Sequence, residues 1–396
     1  MGGAAGHISH IWENQDFTFN DIVDILSSAA TGKLENVVEK FDGMQVMFTH
    51  NGRELRFARN KSEMISGGLT QDDLIAKFAS KSNVRDAFVT GYAVLNNAVS
   101  VLPKQIKTIF SGGSTWYSAE IMCSKNRNVI SYDKNVIVFH EFPTFNVNNG
   151  AVAQINGWFG VDILKKNINS MQAAASMLSW QVHAPEMFSI QRLTDGTALK
   201  AAIDELHNVA MMMNCTMGHT IGAYLQVGLR RAAMRELSGL PQTIIDAVVS
   251  RCLEHSGCQT LTQIKKTTPT DYKKHVSDFV SSSADIIKRL LFPIERAVIK
   301  FTTELLRGVK SAFLADSSAE TERLKSELVT TIAEIEATGD ASLLDALRVH
   351  VSKIENIGDV HVGTEGVIFV YKNRAYKFTG CFGPINQVLG MLRYKR

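Results

Sequence analysis

Residues 37–58 have the sequence VVEKFDGMQVMFTHNGRELRFA, and this stretch decides the fold class. Its short apolar or alternating runs predict three β-strands, at 37–40, 44–49 and 54–58. Asn51-Gly52, between the last two runs, is a strong signal for a tight hairpin turn. Lys40 ends the first run and is followed by Asp42 and by Gly43, a residue typical of turns. The sequence therefore predicts a lysine immediately before a sharp turn.

The rest of the chain alternates between β-rich and helical sequence. Residues 1–150 contain two further strand-like runs, at 116–122 and 135–142. Residues 151–356 are dominated by helical periodicity, and residues 357–396 return to strand-like runs with a short closing helix. Because an isolated two-stranded hairpin is not stable in water, we expect an α+β fold. In it the first and last regions form one discontinuous domain, and the middle region is a helical insertion.

Apolar residues at helical spacing predict the individual helices of this insertion. They are expected at 201–213, 221–237, 243–255, 271–314 and 318–337, with an interruption of the fourth at Pro293. In the first region, Thr70 followed by Asp72 and Asp73 predicts a helix start, because a threonine N-cap and early acids satisfy the first backbone N–H groups.

Composition excludes several classes of protein. The chain has 396 residues, 45% of them hydrophobic and 20% charged, with a net charge of +3, which excludes wholesale disorder and fibrous repeats. Its five cysteines show no zinc-ligand spacing and no disulfide framework. We find neither a signal peptide nor a membrane-spanning run. The expectation is a soluble protein of the cytoplasm, or of the host cytoplasm or virion if its source is viral, with no membrane partner.

Lys40 is the residue with the clearest chemical potential. A lysine becomes a nucleophile when burial or nearby positive charge lowers its pKa. Asp42 can orient it, and Gly43 lets the backbone turn away. The alternative is a plain lysine between a strand and a turn, since Asp and Gly are common turn residues.

Five further short motifs follow the Lys-x-Asp-Gly motif of residues 40–43 along the chain. In chain order they are Phe57-Ala58-Arg59, Tyr117-Ser118-Ala119-Glu120, Val136-Ile137-Val138-Phe139, Thr364-Glu365-Gly366-Val367 and Tyr376-Lys377-Phe378. Together they resemble the motifs of the covalent nucleotidyltransferases, which include DNA ligases, RNA ligases and mRNA capping enzymes. The resemblance covers residues 30–145 and 360–380. It implies a nucleotidyltransferase domain that uses ATP and Mg²⁺ and adenylylates Lys40.

The resemblance also implies roles for single residues. Lys40, Asp42 and Lys377 would be catalytic, with Lys377 on the α-phosphate, and Glu365 and Glu120 would serve the metal. The nucleotide-binding residues would be Glu39 at the adenine amino group, Gly43, Arg59, Glu120 at the ribose, Phe139 stacked on the base, and Lys372 as a second lysine. Each has an ordinary structural alternative: a surface acid, a loop charge, a turn or, for Phe139, a core position.

Several features depart from the family pattern. Gln45 stands where DNA ligases usually carry arginine, which favours an RNA ligase. Thr379 replaces the second lysine of the last motif, so Lys377 is alone unless Lys372 reaches over from the hairpin. No C-terminal oligonucleotide-binding barrel is expected, and a long helical segment separates the fourth and fifth motifs. The Gly-rich start together with the helical middle resembles proteins of large tailed phages.

The resemblance therefore predicts an ATP-dependent polynucleotide ligase acting on nucleic acid ends, RNA more than nicked duplex DNA. The helical insertion would supply the nucleic-acid clamp through Arg230-Arg231, Lys265-Lys266 and Lys273-Lys274-His275, although such groups are also common on solvated helix faces. One alternative is a non-catalytic structural or virion-associated protein that descends from the ligase fold. Another is a capping-type enzyme that uses GTP.

Overall fold

The computed structural model describes residues 8–124, 134–140, 143–155, 157–184, 187, 190, 192–307, 365–372 and 374–380. In these residues the chain is a mixed helix and sheet protein with two β-sheets. The helices predicted at 318–337 and at the end of the chain lie outside the described residues.

The smaller sheet joins the two ends of the described chain. Its strands are β1 (Glu35–Lys40), β9 (Gly366–Tyr371) and β10 (Arg374–Phe378), in the order β1-β9-β10. All neighbours are antiparallel, and Lys40 lies directly opposite Gly366. The predicted hairpin of residues 366–378 is confirmed, and it pairs with a strand from the first forty residues.

The larger sheet has seven strands. They are β2 (Met44–His50), β3 (Leu55–Ala58), β4 (Thr115–Met122), β5 (Val136–Phe139), β6 (Thr144–Asn148), β7 (Ala151–Ile155) and β8 (Gln181–His183). The turn at Asn51-Gly52 is confirmed: the Asn51 side-chain oxygen accepts hydrogen bonds from the N–H groups of Arg53 and Glu54, both at 3.0 Å.

Each sheet has its own helices and its own core. The helices are α1 (Phe19–Ala30), α2 (Lys61–Ile65), α3 (Gln71–Lys77), α4 (Ser82–Ser100), α5 (Trp158–Lys166), α6 (Ile168–Ser176), α7 (Thr197–Met212), α8 (Ile221–Glu236), α9 (Gln242–Cys252), α10 (Leu261–Thr267) and α11 (Lys273–Arg307). The small sheet shares a core with α1 and α7–α11. The large sheet shares another with α3–α6. Helices α1 and α7–α11 thus pack against the small sheet and hold β1 in place.

The predicted boundary at residue 150 is wrong. Residues 151–155 form β7, and residues 181–183 form β8, which pairs in parallel with β5. Helices α5 and α6 bury Leu164 and Met171 in the core of the large sheet. Only from α7 onward does the chain leave that sheet. The physical reason is that the short β8 is too brief to show a period in sequence, while the helices around it dominate the pattern.

The helix predictions agree in position with α7, α8 and α9, and Thr70 is the N-cap of α3, where its hydroxyl accepts from the Asp73 N–H at 3.2 Å. Helix α11 differs, because it continues through Pro293. Proline disturbs the hydrogen bonds of the preceding turn, and the Tyr224 hydroxyl donates to the Leu290 carbonyl there at 2.8 Å. Among the described residues, no helix combines the length and apolar character needed to cross a membrane.

Gly366 is expected to be essential for the small sheet. Its φ is +142°, and an added Cβ would lie 1.9 Å from the Phe378 carbonyl oxygen. We expect Gly366→Ala to lower the free energy of unfolding by about 3 kcal/mol through overlap and backbone strain. The matched control is Gly52→Ala, where φ is +92° but no atom lies within 4 Å. Urea unfolding should show a clearly smaller loss there, and equal losses would contradict the steric argument.

Candidate active site

Lys40 lies where the two sheets meet. It ends β1 in the small sheet, and Phe41, Asp42 and Gly43 connect it to β2 in the large sheet. Its ammonium forms an ion pair with the carboxylate of Glu365, and the two side chains are only 19% and 14% exposed. The ion pair follows from the strand register, because Glu365 directly precedes Gly366, the partner of Lys40.

Lys377 shares a face of the small sheet with Lys40. Lys40 is opposite Gly366 and Lys377 is opposite Ile368, and alternate residues of a strand point to the same side. Lys377 is 3% exposed. Burial, reinforced by the charge of Lys40, lowers its pKa to about 8, while Glu365 acts in the opposite direction. The strand pairing thus places two partly or fully buried cations on one face of the sheet, within electrostatic range of each other.

Glu365 offsets the charge of these cations, but its own charged form is disfavoured by its surroundings. Burial raises its pKa to about 7, although the ion pair with Lys40 acts in the opposite direction. The charges of Asp42 and Glu120 raise it further. Three predicted carboxylates therefore lie within electrostatic range of one another, and one of them titrates close to neutral pH.

Glu120 connects the lysine turn to the large sheet. One of its oxygens accepts a hydrogen bond from the Gly43 N–H at 3.1 Å, and the other lies 3.0 Å from Nε2 of His140. A Cβ on Gly43 would lie 2.7 Å from Cγ of Glu120, so only glycine lets the turn approach this closely. On the neighbouring strand, the Gln45 amide donates to the Ser118 hydroxyl at 3.3 Å.

Arg59 follows β3 at the edge of the same region. Its guanidinium lies 4.9 Å from the centre of the Phe88 ring. Burial lowers its pKa, and the charges of Glu120 and Glu63 act in the opposite direction. Its Nε is buried and has no hydrogen-bond partner among the described residues. This donor could serve an anionic ligand, which fits the role predicted for Arg59.

The base-stacking role predicted for Phe139 is wrong in this structure. Phe139 lies opposite Ala119, and Glu120 lies opposite Val138, so Phe139 and Glu120 point to opposite faces of the large sheet. The Phe139 ring is 1% exposed and packs 5.4 Å from the ring of Phe48 in the core. The ordinary alternative, a core phenylalanine, describes it correctly.

Lys372 and the Glu39 side chain also lie away from Lys40. Lys372 turns the hairpin at the far end of β9 and donates to Asp21 at 2.6 Å. At roughly 3.3 Å per residue, that strand separates it from Gly366 by about 20 Å. Glu39 is opposite Val367, a core residue, so its buried side chain faces away from Lys40. Contact of the Glu39 backbone carbonyl with adenine stays a prediction.

His140 is a site residue that the sequence motifs do not indicate. It directly follows β5, and the register of β5 with β4 puts Val138 and His140 on the same face of the sheet as Glu120. The sequence holds a weak signal for it: a histidine directly after the apolar run 136–139. Only the pairing of β4 with β5 tells which of Phe139 and His140 faces the site.

The carboxylates fit a magnesium ion held mainly by a nucleotide. In the part of the chain that the structure describes, no group of three metal-ligating side chains converges. Glu365 is paired with Lys40, and Glu120 with His140. Mg²⁺ in nucleotide sites needs only one or two carboxylates besides phosphate oxygens and water. The residues therefore fit Mg²⁺ that arrives with phosphate, and they do not form a preorganised all-protein site.

The basic residues proposed for a clamp have local partners. Lys265 donates to Ser277 at 3.0 Å, and Lys274 pairs with Asp278 at 2.8 Å. Arg230 pairs with Asp246 at 2.6 Å, and Arg231 donates to the Met212 carbonyl at 3.0 Å. These contacts are compatible with solvated helix faces as well as with a clamp.

Compared with known proteins, the chain matches no protein-family model, and no curated protein is significantly similar to it. Its function must therefore be argued from the geometry of the site.

The two shifted pKa values predict how stability depends on pH. The pKa of Glu365 is raised on folding, so its contribution is fully present below pH 4.5 and is lost as pH rises through about 7. The pKa of Lys377 is lowered, so its contribution is present above 10.5 and is lost as pH falls through about 8. We expect Glu365→Gln to remove the loss between pH 4.5 and 7, and Lys377→Met to remove the gain above 8.

Urea unfolding between pH 4 and 10 measures both effects. Glu205→Gln is the control, because Glu205 is a partly buried carboxylate on α7 that pairs with Arg296, away from the site. An unchanged pH profile in Glu365→Gln would contradict the assignment of the acidic transition to this residue.

Proposed function

We propose that this chain is an ATP-dependent covalent nucleotidyltransferase of the polynucleotide ligase type, with Lys40 as the nucleophile. The observation that carries the proposal is the meeting of Lys40, Glu365 and Lys377 on one face of the small sheet. These residues come from distant parts of the chain. Burying their charges costs free energy that pairing offsets only in part, which is expected of groups kept for a function.

The first step would begin with loss of a proton from the Lys40 ammonium, and the resulting amine would attack the α-phosphorus of ATP. The N–P bond forms, the P–O bond to the β-phosphate breaks, and pyrophosphate leaves with the electron pair. Glu365 is ion-paired with Lys40 and has a pKa of about 7, so its carboxylate can accept the proton that the ammonium loses before the attack. The second proton leaves the nitrogen as the N–P bond forms and passes to solvent. Lys377 and Arg59 would offset the negative charge that develops on the phosphates. Mg²⁺ held by Glu365 or Glu120 and by phosphate oxygens would add further positive charge.

The later steps follow the ligase pattern. An oxygen of the 5′-phosphate end attacks the phosphorus of the lysyl-AMP, and a P–O–P bond forms as the N–P bond breaks and the amine leaves. A 3′-hydroxyl then attacks the 5′-phosphorus, and AMP leaves as the phosphodiester forms. Gln45, bonded to Ser118 beside the turn, favours RNA over DNA as the acceptor because DNA ligases usually have arginine there. The helical region beginning with α7 packs against the small sheet and is the candidate clamp for the nucleic acid.

Labelling with nucleotide tests the proposal directly. The folded protein is incubated with Mg²⁺ and ATP labelled at the α-phosphate, then denatured and examined for bound label. We expect stable label that is lost in Lys40→Ala, because the phosphoramidate forms on that amine. Lys372→Ala is the matched control, since Lys372 sits at the far end of β9, and it should keep full labelling.

The non-catalytic structural alternative is favoured by one observation: Phe139 and Lys372, two residues predicted to bind nucleotide, are committed to the core and to Asp21. Absence of label from both ATP and GTP in the folded protein would support it. Label from GTP alone would support the capping-type alternative. Label that persists in Lys40→Ala would overturn the assignment of the nucleophile.

The clamp has its own test. If the lysines near the end of α10 and the start of α11 grip phosphates, Ala at Lys265, Lys266, Lys273 and Lys274 should weaken RNA binding. The slope of log affinity against log salt should flatten by roughly one for each lost phosphate contact. Lysyl-AMP formation should stay normal.

Lys165 and Lys166 provide the matched control, because they form a similar pair in the last turn of α5 beside the large sheet. Their replacement by Ala should leave the slope unchanged. An unchanged slope in the four-lysine variant would contradict the clamp and show that these lysines lie on ordinary solvated helix faces.

A further inference from the structure

Glu120 is a buried carboxylate held from two directions. It is 8% exposed. One oxygen accepts from the Gly43 N–H in the lysine turn, and the other lies 3.0 Å from His140 at the end of β5. When Glu120 is ionised it only accepts hydrogen bonds, and Nε2 of His140 is then the donor in this contact.

The backbone fixes the position of His140. Its N–H donates to the Ser118 carbonyl at 2.9 Å, one step beyond the ladder between β4 and β5. The His140 side chain is only 13% exposed and stands on the same face as Glu120. The contact is therefore built by strand register, not by chance approach of a surface side chain.

Glu120 in turn determines where the lysine turn lies. Only Phe41 and Asp42 separate Lys40 from Gly43, so the position of the Gly43 N–H restricts how the end of β1, which carries Lys40, meets the large sheet. The turn lies so close to Glu120 that an added Cβ on Gly43 would be 2.7 Å from Cγ of that residue. A buried carboxylate that lost one of its two donors would move toward water or toward another cation such as Arg59.

We propose that His140 is a positioning residue: it holds Glu120 against the Gly43 N–H and so fixes Lys40 at the junction of the two sheets. The structural part of this inference stands on the contacts alone. Its effect on nucleotide transfer rests on the proposed function.

Two substitutions at His140 separate hydrogen bonding from mere filling of space. In His140→Gln, the side-chain amide can still donate to Glu120 from the place of Nε2. In His140→Leu, the volume is kept approximately but the donor is lost. The control is His50→Leu, because His50 is another buried histidine of the large sheet, accepts a hydrogen bond from the Gly52 N–H at 3.1 Å, and lies far along β2 from the site.

The first measurement is hydrogen exchange followed by mass spectrometry on peptides covering residues 41–46. His140→Leu should exchange there about tenfold faster than the unchanged protein, because the bond to Gly43 opens more often. His140→Gln and His50→Leu should exchange there at the unchanged rate.

The second measurement is the rate of lysyl-AMP formation at varied ATP. In His140→Leu the maximal rate should fall about tenfold or more, because a misplaced nucleophile loses its alignment. The ATP concentration at half the maximal rate should change little, and His140→Gln should restore most of the rate.

The outcomes separate the two hypotheses. If the unchanged protein takes no label, the proposed function fails, and hydrogen exchange alone decides the role of His140. If His140→Leu leaves exchange at residues 41–46 unchanged, or if His140→Gln is as impaired as His140→Leu, the positioning role is overturned.

Discussion

The antiparallel pairing of β1 with β9 is the constraint on which the site depends. It puts Lys40 opposite Gly366 and therefore beside Glu365. The helices α7–α11 pack on the other side of this small sheet and hold the two distant segments together. The large sheet then contributes Glu120, which contacts the turn directly after Lys40. Glu365 and Glu120, which lie far from Lys40 in the sequence, thus become neighbours of the lysine and of the turn that follows it.

The electrostatics of the site follow from this enclosure. Two lysines and three carboxylates influence one another at low exposure, and burial moves the pKa values of Glu365 and Lys377 toward neutrality from opposite sides. The free-energy difference between the protonated and deprotonated forms is therefore small for both groups near pH 7. Such groups suit proton transfer and anion binding. A scaffold would gain more stability from apolar residues in the same positions.

Local chemistry made part of this structure predictable from the sequence. The hairpin at Asn51-Gly52 and the helix start at Thr70 depend on residues within a few positions of one another. The proximity of Lys40, Glu120 and Glu365 was expected from a motif order. The roles of Phe139 and His140 could not be predicted, because they depend on the register between β4 and β5. The boundary near residue 150 failed because β8 is only three residues long.

The distance along the chain between β1 and β9 has a consequence for how the protein matures. During synthesis, β1 emerges long before the strand that covers it, so its edge must wait for a late partner. A chain that stops before residue 365 contains Lys40 without the carboxylate beside it. The charged cluster around Lys40 is therefore completed last, after the helices that pack against the small sheet have been made. A chain clipped between the two strands keeps Lys40 but lacks both Glu365, which pairs with it, and Lys377, which shares its face of the sheet.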